Sequence, residues 1–121
     1  MSQCDKPSLA ARILLVSRAR FLTAGAAPVL VGSALGYAVA GNFEPLLFAL
    51  ALSAIILLQA GANMANDYFD HLSGNDQANS NPTPFSGGSR CIQTGIISPR
   101  ATLLAALAAL ALAAMMGIAI V

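Results

Sequence analysis

Three long stretches of the chain contain no charged residue, and this feature limits the folds that the chain can adopt. They are residues 21–40, 45–66 and 101–121. About 20 apolar residues cross the hydrocarbon core of a bilayer as a helix. Only 9% of the 121 residues are charged, against roughly 25% in soluble domains. We therefore predict an all-α membrane protein with transmembrane helices near residues 21–40, 45–70 and 99–121.

The basic residues predict the orientation in the membrane. All six lie either in the first 20 residues or between positions 90 and 100, and the turn at 41–44 has none. By the positive-inside rule, residues 1–20 form a cytoplasmic leader and the loop 71–98 also faces the cytoplasm. The apolar piece 13–16 is too short for a signal peptide, so the leader could instead hold an interfacial helix. The chain is expected to be a multi-pass protein of the cell (inner) membrane.

The net charge of +1 excludes a basic field that would attract nucleic acid. Cys4 and Cys91 both fall in segments predicted to be cytoplasmic, where thiols stay reduced. We therefore expect two free thiols rather than a disulfide, and a lipid bilayer rather than a nucleic acid as the surrounding partner.

Local signals support the helix boundaries. Pro45 suits the first turn of the second helix, because its missing N–H would have no partner there. Gly74 is expected to end that helix. Ser98 is a plausible N-cap for the third helix, which Pro99 would open.

Polar residues form a stripe along the later half of the second helix. They are Gln59, Asn63, Asn66, Asp67 and Asp70. At about 100° per residue these positions fall within roughly a third of the helix circumference. A helix that lines a polar cavity shows this pattern. The alternative is a frayed helix end with solvated side chains, but Gln59 and Asn63 come early for fraying.

Carboxylates at the end of this stripe predict a cation site. Asp67 and Asp70 share a helix face, and Asp76 can fold back across Gly74. Carboxylates close together repel one another unless a cation neutralises them. Mg²⁺ usually takes one or two protein carboxylates and completes its shell with water and phosphate oxygens. The pattern therefore favours Mg²⁺ together with a phosphate-bearing substrate.

The loop 71–98 is long enough to suggest a function of its own. Arg90 could pair with a phosphate bidentately. The pair Gly87 and Gly88 would let backbone N–H groups approach an anion. His71 points away from the Asp67 face, and a lone histidine is more often hydrogen-bonded than bound to a metal.

Two motifs resemble those of a known family. The run NDYFD at 66–70, followed by SGND at 73–76, resembles the first Asp-rich motif of the UbiA superfamily of intramembrane prenyltransferases. SGGSR at 86–90, followed by Gln93, Gly95 and Ser98, resembles the loop after that motif. The first helix adds weaker agreement at Arg20, at APVL in positions 27–30 and at Gly32. Within the superfamily, the chain is most similar to the dihydroxynaphthoate polyprenyltransferase branch of menaquinone synthesis.

The resemblance implies an activity and a set of site residues. The activity is transfer of a polyprenyl group from polyprenyl diphosphate to an aromatic acceptor, 1,4-dihydroxy-2-naphthoate, with Mg²⁺ as cofactor. The implied catalytic residues are Asp67 and Asp70, and the implied metal ligands are Asp67, Asp70 and Asp76. The implied residues for diphosphate or acceptor are Asn63, Asn66, Gly88, Ser89 and Arg90. The apolar helices would form a wall along the isoprenoid tail.

The chain also departs from the family pattern. The common spacing places an acid where this chain has Gly74, and Asp76 comes two residues later, as in the dihydroxynaphthoate branch. The family has about nine membrane helices and a second Asp-rich motif, whereas three helices and one motif are predicted here. We therefore expect residues 21–121 to be the N-terminal part of a UbiA-type domain, incomplete alone, with a C-terminal part as a further partner.

Two alternatives remain open at this point. One is a non-catalytic membrane module or transporter segment with an Asp-lined ion-binding cavity, and the other is an inactive truncated fragment. The combination of carboxylates with the Gly-Gly-Ser-Arg loop suits a diphosphate better than a bare ion, and this favours the transferase.

Overall fold

The structure is a computed structural model, and it describes residues 7–81, 83 and 87–121. All regular elements in these residues are helical. They are α1 (Leu9–Val16), a 3₁₀ turn (Ala19–Phe21), α2 (Leu22–Ala40), α3 (Pro45–Ser73), α4 (Asn75–Ala78) and α5 (Pro99–Ile120). Three helical segments are long and apolar enough to cross a membrane: Ala19–Ala40, Pro45–Ser73 and Pro99–Ile120. The predicted all-α membrane fold is confirmed.

The predicted boundary residues act as expected. Pro45 lies in the first turn of α3. Gly74 follows α3 with a φ of 78°, a left-handed conformation that glycine adopts without steric cost. The Ser98 Oγ accepts a hydrogen bond from the Ala101 N–H at 3.2 Å, and so caps α5. The second helix extends three residues beyond the predicted end at position 70, and α4 interrupts the predicted loop directly after it.

Small residues allow α3 and α5 to pack closely. Ala60, Gly61 and Met64 of α3 are buried, and Ala106 and Ala109 of α5 are buried with them. In a bilayer, lipid tails are as apolar as the side chains, so close backbone approach and dispersion contacts hold helices together. The α3–α5 pair is therefore the rigid centre of the chain, and it carries the Asp-rich end of α3.

α2 packs less extensively than α3 and α5, and most of its surface is exposed. Leu30, Val31, Leu35 and Val39 are each more than half exposed. On a helix that is long enough to span a membrane, lipid or other membrane helices cover apolar side chains of this kind.

The leader forms a short helix that contacts α3. Ser8 caps α1 by accepting a hydrogen bond from the Ala11 N–H at 3.3 Å. At the other end, Val16 and Ser17 are buried. The Asn63 Nδ2 donates to the Ser17 carbonyl at 2.9 Å. Arg18 then adopts a left-handed backbone, with a φ of 51°, and turns the chain into the first membrane span. The leader thus contains a helix, whose interfacial location stays a prediction.

The first testable prediction concerns Gly61→Ala. A Cβ atom at Gly61 would lie 2.8 Å from Cγ of Leu110 and 3.2 Å from the Ala106 carbonyl oxygen. The helices must separate or Leu110 must move, which costs about 1–3 kcal/mol. Gly117→Ala in α5 is the control, because nothing lies within 4 Å of a Cβ atom there. Thermal unfolding in detergent micelles should show a lower midpoint for Gly61→Ala alone. Equal midpoints for both variants would contradict the close α3–α5 contact.

Candidate functional site

A chain reversal at Gly74 brings the acidic residues together. α3 ends one residue before Gly74, and α4 begins one residue after it. Asp76 on α4 therefore turns back toward the last turns of α3. Asp67 and Asp76 are each only 2% exposed. Buried carboxylates require hydrogen-bond donors or a cation, because desolvation otherwise disfavours their charged form.

Asp67 is bonded from two parts of the chain. The Ser89 N–H lies 3.2 Å from each of its carboxylate oxygens. The Arg18 guanidinium donates through Nη2 to the Oδ1 atom of Asp67, and the two side chains form an ion pair. The Gly-Gly-Ser-Arg loop and the leader thus meet at this one carboxylate.

Asp76 is bonded by the loop. The Gln93 Nε2 donates to its Oδ2 atom at 2.9 Å. Burial raises the pKa of the Asp76 carboxyl above its usual range; the Gln93 bond opposes this, and the negative charges of Asp70 and Asp67 add to it. A cation beside Asp76 would act in the opposite direction and favour the ionised form.

Because Gly88 has no side chain, both carboxylates approach its backbone closely, and the small space beside it would not admit a methyl group without a shift of these neighbours. A Cβ atom there would lie 3.0 Å from Oδ1 of Asp67 and 3.1 Å from Oδ1 of Asp76. The same Cβ atom would lie 3.2 Å from Nη2 of Arg18. Two carboxylate oxygens beside one small space suit a hard cation that binds one or two protein carboxylates. The donor set on either side of Gly88 therefore fits Mg²⁺.

Asp70 has hydrogen-bond partners of its own. The Asn66 Nδ2 donates to its Oδ2 atom at 2.6 Å, and the Asn75 Nδ2 donates to its Oδ1 atom at 3.3 Å. Across the described residues, no group of three or more His, Cys, Asp or Glu side chains is arranged to hold a metal ion. The structure thus brings Asp67 and Asp76 together at Gly88, with Asp70 in a separate hydrogen-bond network.

A polar cavity of about 270 Å³ connects Asp70 with Asp76. Its lining comes from the end of α3, from α4 and from the loop: Asp70, Asn75, Asp76, Ala78, Asn79 and Gly87. Carboxylates, amides and a glycine backbone surround the cavity. Water, a cation or the oxygens of a cation-bound anion can occupy this cavity.

Arg90 contacts the backbone at the end of α4. Its backbone is left-handed, with a φ of 57°. The Arg90 Nη1 donates to the carbonyl oxygens of Asp76 at 3.2 Å and of Asn79 at 3.4 Å. A cation is favourable at a helix C-terminus, where carbonyl oxygens lack partners within the helix. In this structure Arg90 therefore holds the wall of the polar cavity in place.

Other residues singled out from the sequence have different surroundings. His71 Nδ1 lies 3.3 Å from the Gln77 Nε2, as expected for a hydrogen-bonded histidine. Cys91 is a buried free thiol, and burial raises the pKa of this thiol. Cys4 and Ser86 lie outside the described residues.

Two contacts of the site were not anticipated from the sequence. Arg18 was assigned to the cytoplasmic leader, and its partner Asp67 is 49 positions away in the chain. The sequence gives only an indirect indication of this contact: the basic leader and the carboxylate stripe are predicted on the same side of the membrane. Gln93 was noted within the loop motif, without its contact to Asp76.

Comparison with protein-family models shows which family the chain belongs to. The model of the UbiA prenyltransferase family matches residues 25–121. The chain belongs to the UbiA prenyltransferase family. This match covers α3, α5 and the Asp-rich loop, and it confirms the resemblance inferred from the motifs at 66–76 and 86–90.

Individual relatives agree with this assignment to the UbiA family. The 1,4-dihydroxy-2-naphthoate octaprenyltransferase of Haemophilus influenzae is 40% identical over 85 residues, which cover 69% of this chain and 26% of that protein. The protein of the same name from Escherichia coli is 34% identical over 104 residues, which cover 86% and 32%. The UbiA prenyltransferase domain-containing protein 1 of Danio rerio is 33% identical over 76 residues, which cover 63% and 23%.

The chain therefore spans between about a quarter and a third of the length of these relatives. The similarity to two dihydroxynaphthoate octaprenyltransferases supports the predicted branch of the family. No solved structure is significantly similar to the chain.

The second prediction tests the space at Gly88. Gly88→Ala should disrupt the Asp67–Ser89 contact, because the new methyl group would press against both carboxylates. Gly95→Ala is a matched control: Gly95 has a φ of 72° against 73° at Gly88, but nothing lies within 4 Å of a Cβ atom there. Both variants carry the same backbone strain of about 1–2 kcal/mol. Hydrogen exchange of the peptide 87–91 should accelerate more in Gly88→Ala, and equal exchange would argue against crowding at the site.

Proposed function

We propose that the chain supplies a cation- and diphosphate-binding part of a membrane prenyltransferase of the UbiA family. The reaction is transfer of a polyprenyl group from polyprenyl diphosphate to an aromatic acceptor, 1,4-dihydroxy-2-naphthoate, in menaquinone synthesis. The observation that supports this most directly is the pair of buried carboxylates, Asp67 and Asp76, on either side of Gly88. A transporter segment has no comparable support, since the chain belongs to a prenyltransferase family.

We assign the Mg²⁺ ligands to Asp67 and Asp76, with Asp70 on the wall of the adjoining cavity. When bound, Mg²⁺ would neutralise the charge that develops on the departing diphosphate. The protein holds both carboxylates through neutral donors: the Ser89 N–H for Asp67 and the Gln93 amide for Asp76. These two donors orient the oxygens without neutralising them. Asp67 also accepts a hydrogen bond from the Arg18 guanidinium, so its charge is already paired with a cation in this structure.

Asp70 would act from the cavity wall. Its two oxygens accept hydrogen bonds from Asn66 and Asn75, so its orientation is fixed from both sides. A carboxylate in that position can bind a water of the metal shell or a second cation that is shared with diphosphate. This role is compatible with the predicted catalytic importance of Asp67 and Asp70.

The remaining predicted binding residues divide into two kinds. Asn63 and Ser89 hold other parts of the protein, because Asn63 binds the Ser17 carbonyl and the Ser89 N–H binds Asp67. We propose that they position the site. We propose that Asn66, Gly88 and Arg90 contribute to diphosphate binding near the polar cavity: Gly88 lets the carboxylates approach its backbone, and the Arg90 charge favours a diphosphate nearby.

An apolar groove provides a path for the isoprenoid tail. It has a volume of about 400 Å³ and lies between α2, α3 and α5. Val29, Ile55, Leu58 and Leu110 are among its lining residues. We propose that the tail extends from the polar cavity along such lipid-like surfaces, where transfer of each buried CH₂ group from water contributes about 0.8 kcal/mol.

The third prediction concerns transfer activity. In the full-length protein, Asp70→Asn and Asp76→Asn should each lower Mg²⁺-dependent prenyl transfer by about 100-fold or more, because removing charge stabilisation from a transition state has effects of that size. The measurement is formation of prenylated dihydroxynaphthoate in detergent micelles. Glu44→Gln is the control: Glu44 precedes α3 at its opposite end, where it accepts a hydrogen bond from Asn42. Full activity in both aspartate variants would refute the assignment of the site.

The fourth prediction concerns topology. We propose that the leader 1–20 and the loop 71–98 face the cytoplasm of a multi-pass protein in the cell (inner) membrane, and that residues 21–121 belong to the prenyltransferase domain. In a background without Cys4 and Cys91, a Ser80→Cys variant should react with a membrane-impermeant thiol reagent only after the cytoplasmic face is opened. Asn42→Cys, in the turn between α2 and α3, should react from outside in intact cells. The reverse pattern would overturn the orientation.

A further inference from the structure

Arg18 lies where the leader, the loop and α3 meet. Its guanidinium is paired with Asp67, and its Nη2 is directed at the space beside Gly88 that both carboxylates face. The side chains of Arg18 and Asp67 are 19% and 3% exposed, so the pair is largely withdrawn from water. The guanidinium therefore provides positive charge at the place where we propose that a divalent cation binds.

The ion pair is incompletely satisfied. Among the residues that the structure describes, the buried Arg18 Nε has no hydrogen-bond partner. A buried donor without a partner costs about 1–3 kcal/mol, and the desolvation of both charges offsets much of their attraction. The pair thus supplies charge to Asp67 without forming the full set of bonds that a permanent structural arginine generally makes.

We infer that Arg18 occupies the cation position at Asp67 in the unloaded protein, and that its guanidinium and a divalent cation compete for this carboxylate. The inference rests on the cation site of the proposed function. Two positive groups that need the same oxygen cannot both contact it at full strength, so binding of one must weaken binding of the other by the same factor. Arg18 is thus a positioning residue, which holds Asp67 in its orientation until the cation arrives.

Competition at Asp67 extends to α1. The end of this helix is linked to α3 by the Asn63–Ser17 hydrogen bond and by the Arg18–Asp67 ion pair. When a cation displaces Arg18, the second link is lost. The leader helix α1 should then be held less firmly against α3, so cation binding at Asp67 would increase the mobility of α1.

Binding of Mn²⁺ alone tests the competition directly. Mn²⁺ affinity is measured by electron paramagnetic resonance on the full-length protein in lipid nanodiscs, without diphosphate. Arg18→Gln should raise the affinity about ten-fold, within the range typical of coupled sites. The matched control is Arg12→Gln, which removes the same charge from α1, where the Arg12 Nε binds the Pro7 carbonyl at 2.9 Å; its affinity should stay within about two-fold of wild type. An unchanged or lower affinity in Arg18→Gln, or no Mn²⁺ binding in any of these proteins, overturns the inference.

A second measurement needs no variant, and so does not depend on the folding of Arg18→Gln. In the wild-type protein, Mg²⁺ should accelerate hydrogen exchange in the peptide 9–18, because the Arg18 link is released. Exchange that Mg²⁺ leaves unchanged or slows would overturn the competition. The transfer assay is independent of this readout: cation-linked exchange without prenyl transfer would refute the proposed reaction and leave the competition standing.

Discussion

Two carboxylates that are withdrawn from water at the end of a membrane helix impose the main physical constraint on this protein. Asp67 and Asp76 need hydrogen-bond donors or positive charge, because a buried polar group without a partner costs free energy. The loop donates the Ser89 N–H to Asp67 and the Gln93 amide to Asp76, and the leader provides the Arg18 guanidinium to Asp67. The left-handed backbone at Gly88 and the chain reversal at Gly74 make these contacts geometrically accessible.

The site is built on the most rigid part of the chain. α3 and α5 approach closely through alanine and glycine, and the carboxylates extend from the end of that packed pair. The leader and the loop, by contrast, reach the site through a few polar contacts. This division suits a protein that must hold its metal ligands in fixed positions and still admit a large substrate, since rigid elements give precision and connecting segments give access.

The sequence alone predicts the three membrane helices and the polar stripe of α3, but it does not predict α4. Long uncharged stretches fold almost exclusively as membrane helices. Gly74, Ser98 and Pro99 have local conformational preferences that mark where helices begin and end. The pairing of Arg18 with Asp67 could not be found in the same way, because it depends on how α1 packs against α3. A contact across 49 positions leaves no periodic or local signal. The hydrogen bonds of Asp70 to Asn66 and Asn75 likewise depend on side-chain placement that spacing does not reveal.

The single-residue reversal at Gly74 has a consequence for how this family segment can vary in length. Since only Gly74 separates α3 from α4, the stretch from Asp67 to Asp76 has a fixed length, which determines where Asp76 lies. Adding or removing a residue in it would rotate everything beyond by about 100° and shift it by about 1.5 Å, which would turn Asp76 away from Gly88. Length variation among homologous chains should therefore be tolerated better in the loop after Asn79 than between the two buried aspartates.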